Sequence, residues 1–145
     1  GVQFAIAGRG GLFTADEMEA AVKPVAYTSP RTSLVCVENT HNRAGGRIFP
    51  QAEAVRIAER ARKHGLATHL DGARLFNVHV ATKRSLAELA APFDTVSVCF
   101  SKGLGAPVGS ALVGPLSSAV APEFMPWQLV AVPHPVAARP VMRPS

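Results

Sequence analysis

Apolar and polar positions along this chain fall into blocks that predict helices and strands in alternation. Near the start, Gly8, Gly10 and Gly11 mark a loop. Thr14-Ala15-Asp16-Glu17 then fits a capping box, the hydroxyl and the carboxylate each satisfying a free N–H at a helix start. Met18, Ala21 and Val22 supply that helix's apolar face, and Pro24 closes it. Ser33 to Val37 reads as a short buried strand. A polar loop follows from Glu38 to Arg47, with Gly45-Gly46 as its flexible turn. Pro50 suits the first turn of a second helix running to about His64, its apolar face traced by Val55, Ala58 and Ala61 or Arg62. Gly65 ends it in a left-handed cap. A strand to Leu70 comes at once, with Asp71 at its carboxyl end.

After Asp71, a loop and a helix around Ser85 to Ala91 lead to a strand ending at Phe100. Leu112 and Val113 read as a further short strand returning beside Lys102. Strand, helix, strand, repeated, predicts an α/β fold with right-handed crossovers and a mostly parallel sheet flanked by helices. From Pro115 onward the pattern breaks. Residues 115–145 hold Pro115, Pro122, Pro126, Pro133, Pro135, Pro140 and Pro144, seven of the chain's 12 prolines. Proline removes a backbone donor and clashes inside a helix, so a patterned domain over 1–114 and a disordered tail are expected.

Ligands of open parallel sheets bind just outside the carboxyl ends of the strands. Glu38, Asp71 and Ser101-Lys102 are three strand-end clusters on one side of the expected sheet, and their convergence points to a site. Lys102 follows an apolar run and precedes Gly103 and Gly105, which lets the backbone turn sharply. Its amine would reach a bound carbonyl compound and form an imine, given partial burial to favour the neutral form; otherwise it is a surface lysine beside a turn. A carboxylate and an imine-forming lysine on one rim suit pyridoxal 5'-phosphate, Asp71 pairing with the ring nitrogen and keeping it protonated. Asp71 equally suits a helix N-cap, with Arg74 as its ion-pair partner. His41 has the pKa to take a proton from a substrate hydroxyl, though a loop histidine of structural role fits as well. Ser101 offers a hydroxyl for a phosphate, or simply for a turn. His69 is expected to face away from Asp71 and to serve packing.

Charge and composition narrow the classes. A net charge of +5 is spread along the chain without a stripe of basic and aromatic residues, and aromatic content is 6%, which argues against a nucleic-acid surface. Cys36 and Cys99 fall within apolar runs and read as small buried hydrophobes in a reduced compartment. No apolar stretch is long enough to span a membrane, and no secretory signal opens the sequence. A cytoplasmic location is expected, with the mitochondrion open.

Three segments together resemble one family. Glu38-Asn39-Thr40-His41-Asn42, Asp71-Gly72-Ala73-Arg74-Leu75-Phe76-Asn77 and Ser101-Lys102-Gly103-Leu104-Gly105-Ala106-Pro107-Val108-Gly109-Ser110 are similar to runs of the low-specificity L-threonine aldolases, fold type I pyridoxal enzymes. The resemblance covers about residues 1–114. It implies the central part of a large aspartate-aminotransferase-like domain and a lyase cleaving threonine or allo-threonine to glycine and acetaldehyde. By position, Lys102 resembles the Schiff-base lysine, Asp71 the ring-nitrogen partner and Arg74 an arginine that holds the substrate carboxylate. The family usually forms homodimers or homotetramers. The resemblance places these segments in the middle of a longer enzyme, so the chain is expected to be a fragment lacking the glycine-rich phosphate loop and the small domain.

One departure stands out. Many members carry a histidine shortly before a Pro-Arg-Thr run, where this chain has Tyr27-Thr28-Ser29-Pro30-Arg31-Thr32. Thr28 cannot supply an imidazole's basicity. A related β-eliminating lyase, or an inactive fragment that keeps the sheet motifs, are the alternative readings.

Overall fold

The structure, a computed structural model, describes residues 2–28 and 30–114. The order is α1 (Ala15–Ala21), β1 (Leu34–Glu38), α2 (Gln51–Lys63), β2 (Ala67–Gly72), α3 (Leu75–Thr82), α4 (Leu86–Ala90), β3 (Thr95–Cys99) and β4 (Ser110–Val113). The four strands form one sheet in the order β1-β2-β3-β4. The first three are parallel, and β4 returns antiparallel to β3. Parallel crossovers keep one hand, so two successive crossovers stepping the same way along the sheet carry their helices to the same face.

The buried residues bear this out. Val35 and Val37 of β1, Leu70 of β2 and Val96 of β3 meet Ala15 and Met18 of α1, Ala54, Ile57 and Ala61 of α2, Leu75 and Val78 of α3, and Leu89 of α4 in one core. The opposite face of the sheet, carrying Leu34, Cys36, His69 and Asp71, is only partly covered among the described residues.

Local chemistry sets the helix boundaries. At α1 the capping box forms as expected, Glu17 N–H donating to Thr14 Oγ1 at 3.2 Å while Thr14 N–H donates to Glu17 Oε2 at 2.7 Å. α2 starts after Pro50 and ends before Gly65, whose φ of +65° is the left-handed conformation that favours glycine. Arg60 of α2 pairs with Asp16 and Glu19 of α1, and His64 Nε2 meets Glu19 Oε1 at 2.7 Å, fixing one helix on the other. The inward face of α2 is Ala54, Ile57, Ala58 and Ala61; Val55, expected inside, is 38% exposed. Ile57, the largest apolar side chain of that helix, sets the rotation.

α3 was not foreseen, its span being read as loop. Its N-cap, Arg74, makes no side-chain capping bond, and Leu75-Phe76-Asn77-Val78-His79-Val80 mixes aromatic and β-branched residues with little contrast between faces. Tertiary burial of Leu75 and Val78 decides the matter. The cysteines also differ from expectation: Cys36 is exposed and Cys99 half-buried, because both point to the face without helices. The expectation for residues 115–145 falls outside the described residues.

One contact pins β2 against the entrance to β3. Thr68 is 1% exposed, and both its N–H and its hydroxyl donate to Asp94 Oδ2, at 2.7 and 2.9 Å. In return, Asp94 N–H donates to Thr68 Oγ1 at 3.0 Å. This knot holds the register in which Asp71 stands opposite Ser97.

Candidate active site

Three loops meet at the carboxyl edge of the parallel strands, each shaped by a different local device. After β1, the ladder continues one residue further, Asn39 N–H donating to Asp71 O at 3.0 Å. Asn39 Oδ1 accepts from Phe49 N–H at 3.0 Å, and the Phe49 ring packs edge-on against Phe13. Between these anchors His41 and Arg47 pair across a short turn through Gly45 and Gly46, at φ +71° and +78°. After β2, Asp71 Oδ1 accepts from Ala73 N–H at 3.1 Å, a local turn that aims the carboxylate and leaves its second oxygen without a protein partner among the described residues. After β3, Gly105 N–H donates to Lys102 O at 3.0 Å and Phe100 N–H to Gly109 O at 2.9 Å, closing a loop that carries Ser101 and Lys102.

Two glycines sit where these segments approach closely, Gly72 against backbone and Gly103 against the end of a side chain. A Cβ on Gly72 would lie 2.8 Å from Ser97 O, and one on Gly103 would lie 2.5 Å from Asn77 Oδ1. Gly103 thus lets the lysine loop lie against the first turn of α3.

The side chains gather in two groups on one sheet face. Along the β1 edge runs a cleft of about 1140 Å³ bordered by Phe4, Cys36, Glu38, His41, His69 and Asp71. At the end of β3, Ser101 Oγ lies 3.1 Å from Cys99 Sγ. That hydrogen bond, with the nearby charges of Lys102 and Arg74, holds the Cys99 thiol below its ordinary pKa. Ser97 pairs with Asp71 in register, and Cys99 lies two residues beyond it, so both groups belong to the same face. Arg74, Ser101 and Lys102 lie outside the lining of the cleft itself.

Several expectations change at this point. Lys102 is exposed, so the partial burial expected to favour its neutral amine is not provided by the described residues. His41 Nδ1 accepts from Ala44 N–H at 3.2 Å, which places the proton of the neutral ring on Nε2, 3.7 Å from Glu38 Oε2. The histidine thus caps a short turn and lines the cleft at once. His69 does not face away from Asp71. A strand repeats every two residues, so positions 69 and 71 share a side, and both border the cleft. Its Nδ1 meets Thr95 Oγ1 at 2.8 Å, and burial lowers its pKa against an opposing pull from Asp71. The two-residue spacing was the sequence signal that identifies it.

The residues suit a small ligand carrying a carbonyl and a basic ring nitrogen. Asp71 has one carboxylate oxygen without a protein partner and Lys102 makes no ion pair among the described residues, while Arg74 is half-buried. A polar carboxyl-edge site on an α/β sheet of this topology defines a class of ligand-binding α/β proteins.

The comparisons with known proteins specify the class. The beta-eliminating lyase family model matches residues 2–124, and the chain belongs to that family. A low-specificity L-threonine aldolase of Arabidopsis thaliana is 44% identical over 106 residues, 72% of this chain and 30% of that protein. The aldolase vrtJ of Penicillium aethiopicum is 47% identical over 106 residues, 72% of this chain and 26% of that protein. Among solved structures, a putative aromatic amino acid beta-eliminating lyase/threonine aldolase from Exiguobacterium superimposes with a TM-score of 0.67 at 30% identity, over 79% of this chain and 30% of that one. A putative L-allo-threonine aldolase from Listeria monocytogenes gives 0.61 at 30% identity, over 74% of this chain and 28% of that one. The fold is accordingly α/β, a mostly parallel sheet flanked by helices, as in fold type I pyridoxal enzymes. The chain spans between 21% and 30% of the length of the curated relatives that it matches. No helix among the described residues is long and apolar enough to cross a membrane.

Proposed function

We propose that this chain carries the central part of the site of a pyridoxal-phosphate-dependent aldehyde-lyase that cleaves threonine or allo-threonine to glycine and acetaldehyde. The observation that carries the reading is the placement of Asp71 and the Lys102 loop on one face and one edge of a parallel sheet, in a chain of this family. Pyridoxal phosphate, when bound, supplies an electron sink for the pair released as the Cα–Cβ bond breaks.

The protein's own groups would divide the remaining tasks. Lys102 holds the aldehyde carbon through its amine. Asp71 keeps a proton at the ring nitrogen with the oxygen that Ala73 does not occupy. Arg74 binds the substrate carboxylate, for which a guanidinium fork is well matched. Ser101 donates to the phosphate once its hydroxyl turns from Cys99. His41 takes the proton of the substrate hydroxyl. Its lone pair lies on Nδ1, so that step requires release of the Ala44 N–H, with Glu38 at hand to stabilise the resulting cation. The small-molecule partner is thus a β-hydroxy amino acid.

A second reading is favoured by the exposure of Lys102 and by a cleft whose lining omits Arg74, Ser101 and Lys102: the described residues bind the cofactor without completing cleavage. Both are tested on the full chain. Pyridoxal phosphate is added, the visible absorbance of the lysine-bound form is recorded, and borohydride reduction followed by peptide mapping locates the label. Labelling at Lys102 with acetaldehyde release from allo-threonine supports the aldolase. Labelling without release supports the second reading, and no labelling at Lys102 overturns both.

A further inference from the structure

His69 holds a place between Thr95 and Asp71 that the proposed chemistry leaves unexplained. The ring stands on the same sheet face as Asp71, one strand repeat earlier, and its register partners are Cys36 on β1 and Thr95 on β3. Nδ1 is tied to Thr95 Oγ1 at 2.8 Å, so the imidazole is anchored to the neighbouring strand. Among the described residues Nε2 takes no protein hydrogen bond, while the ring borders the cleft that Asp71 also borders.

We propose that His69, anchored through Thr95, is a positioning residue that fixes the Asp71 carboxylate for the ring nitrogen of the cofactor; this rests on the cofactor reading above. Ala73 N–H restrains only Oδ1 of that carboxylate. His69 lies two residues before Asp71 on the same face of β2 and borders the same cleft, so the imidazole occupies the flank of the acid toward the amino end of the strand. A positively charged neighbour there would compete with the ring for the same acid. Burial works against such a charge, and Asp71 works for it. Burial is the larger effect, so the imidazole is neutral at neutral pH and becomes cationic only below the ordinary histidine range. The other titratable groups around it are Cys36 of β1 and, along the cleft, Glu38, His41, Lys23 and Arg31.

The test measures pyridoxal phosphate affinity of the full chain by absorbance against pH, for wild type, His69→Asn, His69→Lys and Thr95→Val. Wild type is expected to lose affinity in acid below the ordinary histidine range. His69→Asn should remove part of that acid limb. His69→Lys should bind at least ten-fold more weakly at pH 8, and Thr95→Val should bind a few-fold more weakly, with Thr95→Ser restored. A cofactor-free measurement accompanies it: the NMR titration midpoint of His69 should fall further in Asp71→Asn, since the acid that favours its charge is gone. Thermal melts of each variant separate misfolding from misplacement. Unchanged affinity in a folded His69→Lys, or an unmoved His69 midpoint in Asp71→Asn, overturns the positioning role alone. Absence of cofactor binding by wild type overturns the cofactor reading with it.

Discussion

Removing one hydroxyl from the interior of the sheet tests whether the Thr68–Asp94 knot holds β2 in place. Thr68→Val keeps the branched shape and deletes the oxygen that donates to Asp94 Oδ2 at 2.9 Å and accepts from Asp94 N–H at 3.0 Å. Neither partner is stranded outright. Asp94 N–H still reaches Thr68 O at 3.1 Å, and the carboxylate keeps Thr68 N–H at 2.7 Å. The loss is therefore one hydrogen bond to a charged acceptor, worth about 1.5–3 kcal/mol, offset by roughly 0.8 kcal/mol for the added buried methyl. A net destabilisation of about 1–2 kcal/mol follows, on the order of 10 °C in Tm for a domain of this size. Asp94→Ala is expected to cost more, about 3 kcal/mol, because it leaves the Thr68 N–H and the Thr68 hydroxyl proton both without an acceptor. Urea unfolding of the two single variants and the double variant, at constant m, measures the coupling. Thr68→Val as stable as wild type, or effects additive within about 0.5 kcal/mol, would refute the account.

Two smaller predictions follow from helix ends. Lys83 closes α3 at φ +60°, where a Cβ is crowded, so Lys83→Gly should raise stability by up to about 1 kcal/mol, read as an upward shift of the thermal midpoint. At α4 the Ser85 N–H, and then its hydroxyl, hold the Glu88 carboxyl below the ordinary glutamate range. A depressed folded pKa gives stabilisation that is present above that range and lost as pH falls through the folded value. NMR shifts of residues 85–88 should therefore report loss of the cap in acid, and Glu88→Gln should flatten the profile.

Much of the architecture was legible because local and global signals agreed. Thr14 and Glu17 are spaced for a capping box, Pro50 and Gly65 bracket α2, and the strand before Asp71 is bounded on both sides. Where the signals parted, the reading failed. α3 has neither a capping side chain nor a clear apolar stripe, and only burial of Leu75 and Val78 against the sheet makes it a helix. Cys36 and Cys99 sit in apolar runs that look buried on both faces, yet the crossovers place every helix of the described residues on one face. At the rim, the composition of the three loops was readable, while their distribution between the cleft and the end of β3 was not. That distribution depends on register and on the close approaches at Gly72 and Gly103. His69 was misassigned through its face, though its spacing from Asp71 already placed the two together.

The three rim loops are built on separable foundations. One leans on an extra rung of the ladder and a buried phenyl ring, one on a two-residue turn at an aspartate, one on a looped return into an antiparallel strand. They touch one another at the Asp71 carbonyl and the Asn77 side chain, and the layer beneath them is a single shared interior. A substitution at the tip of one loop can thus change the chemistry of the rim while that interior stays in place.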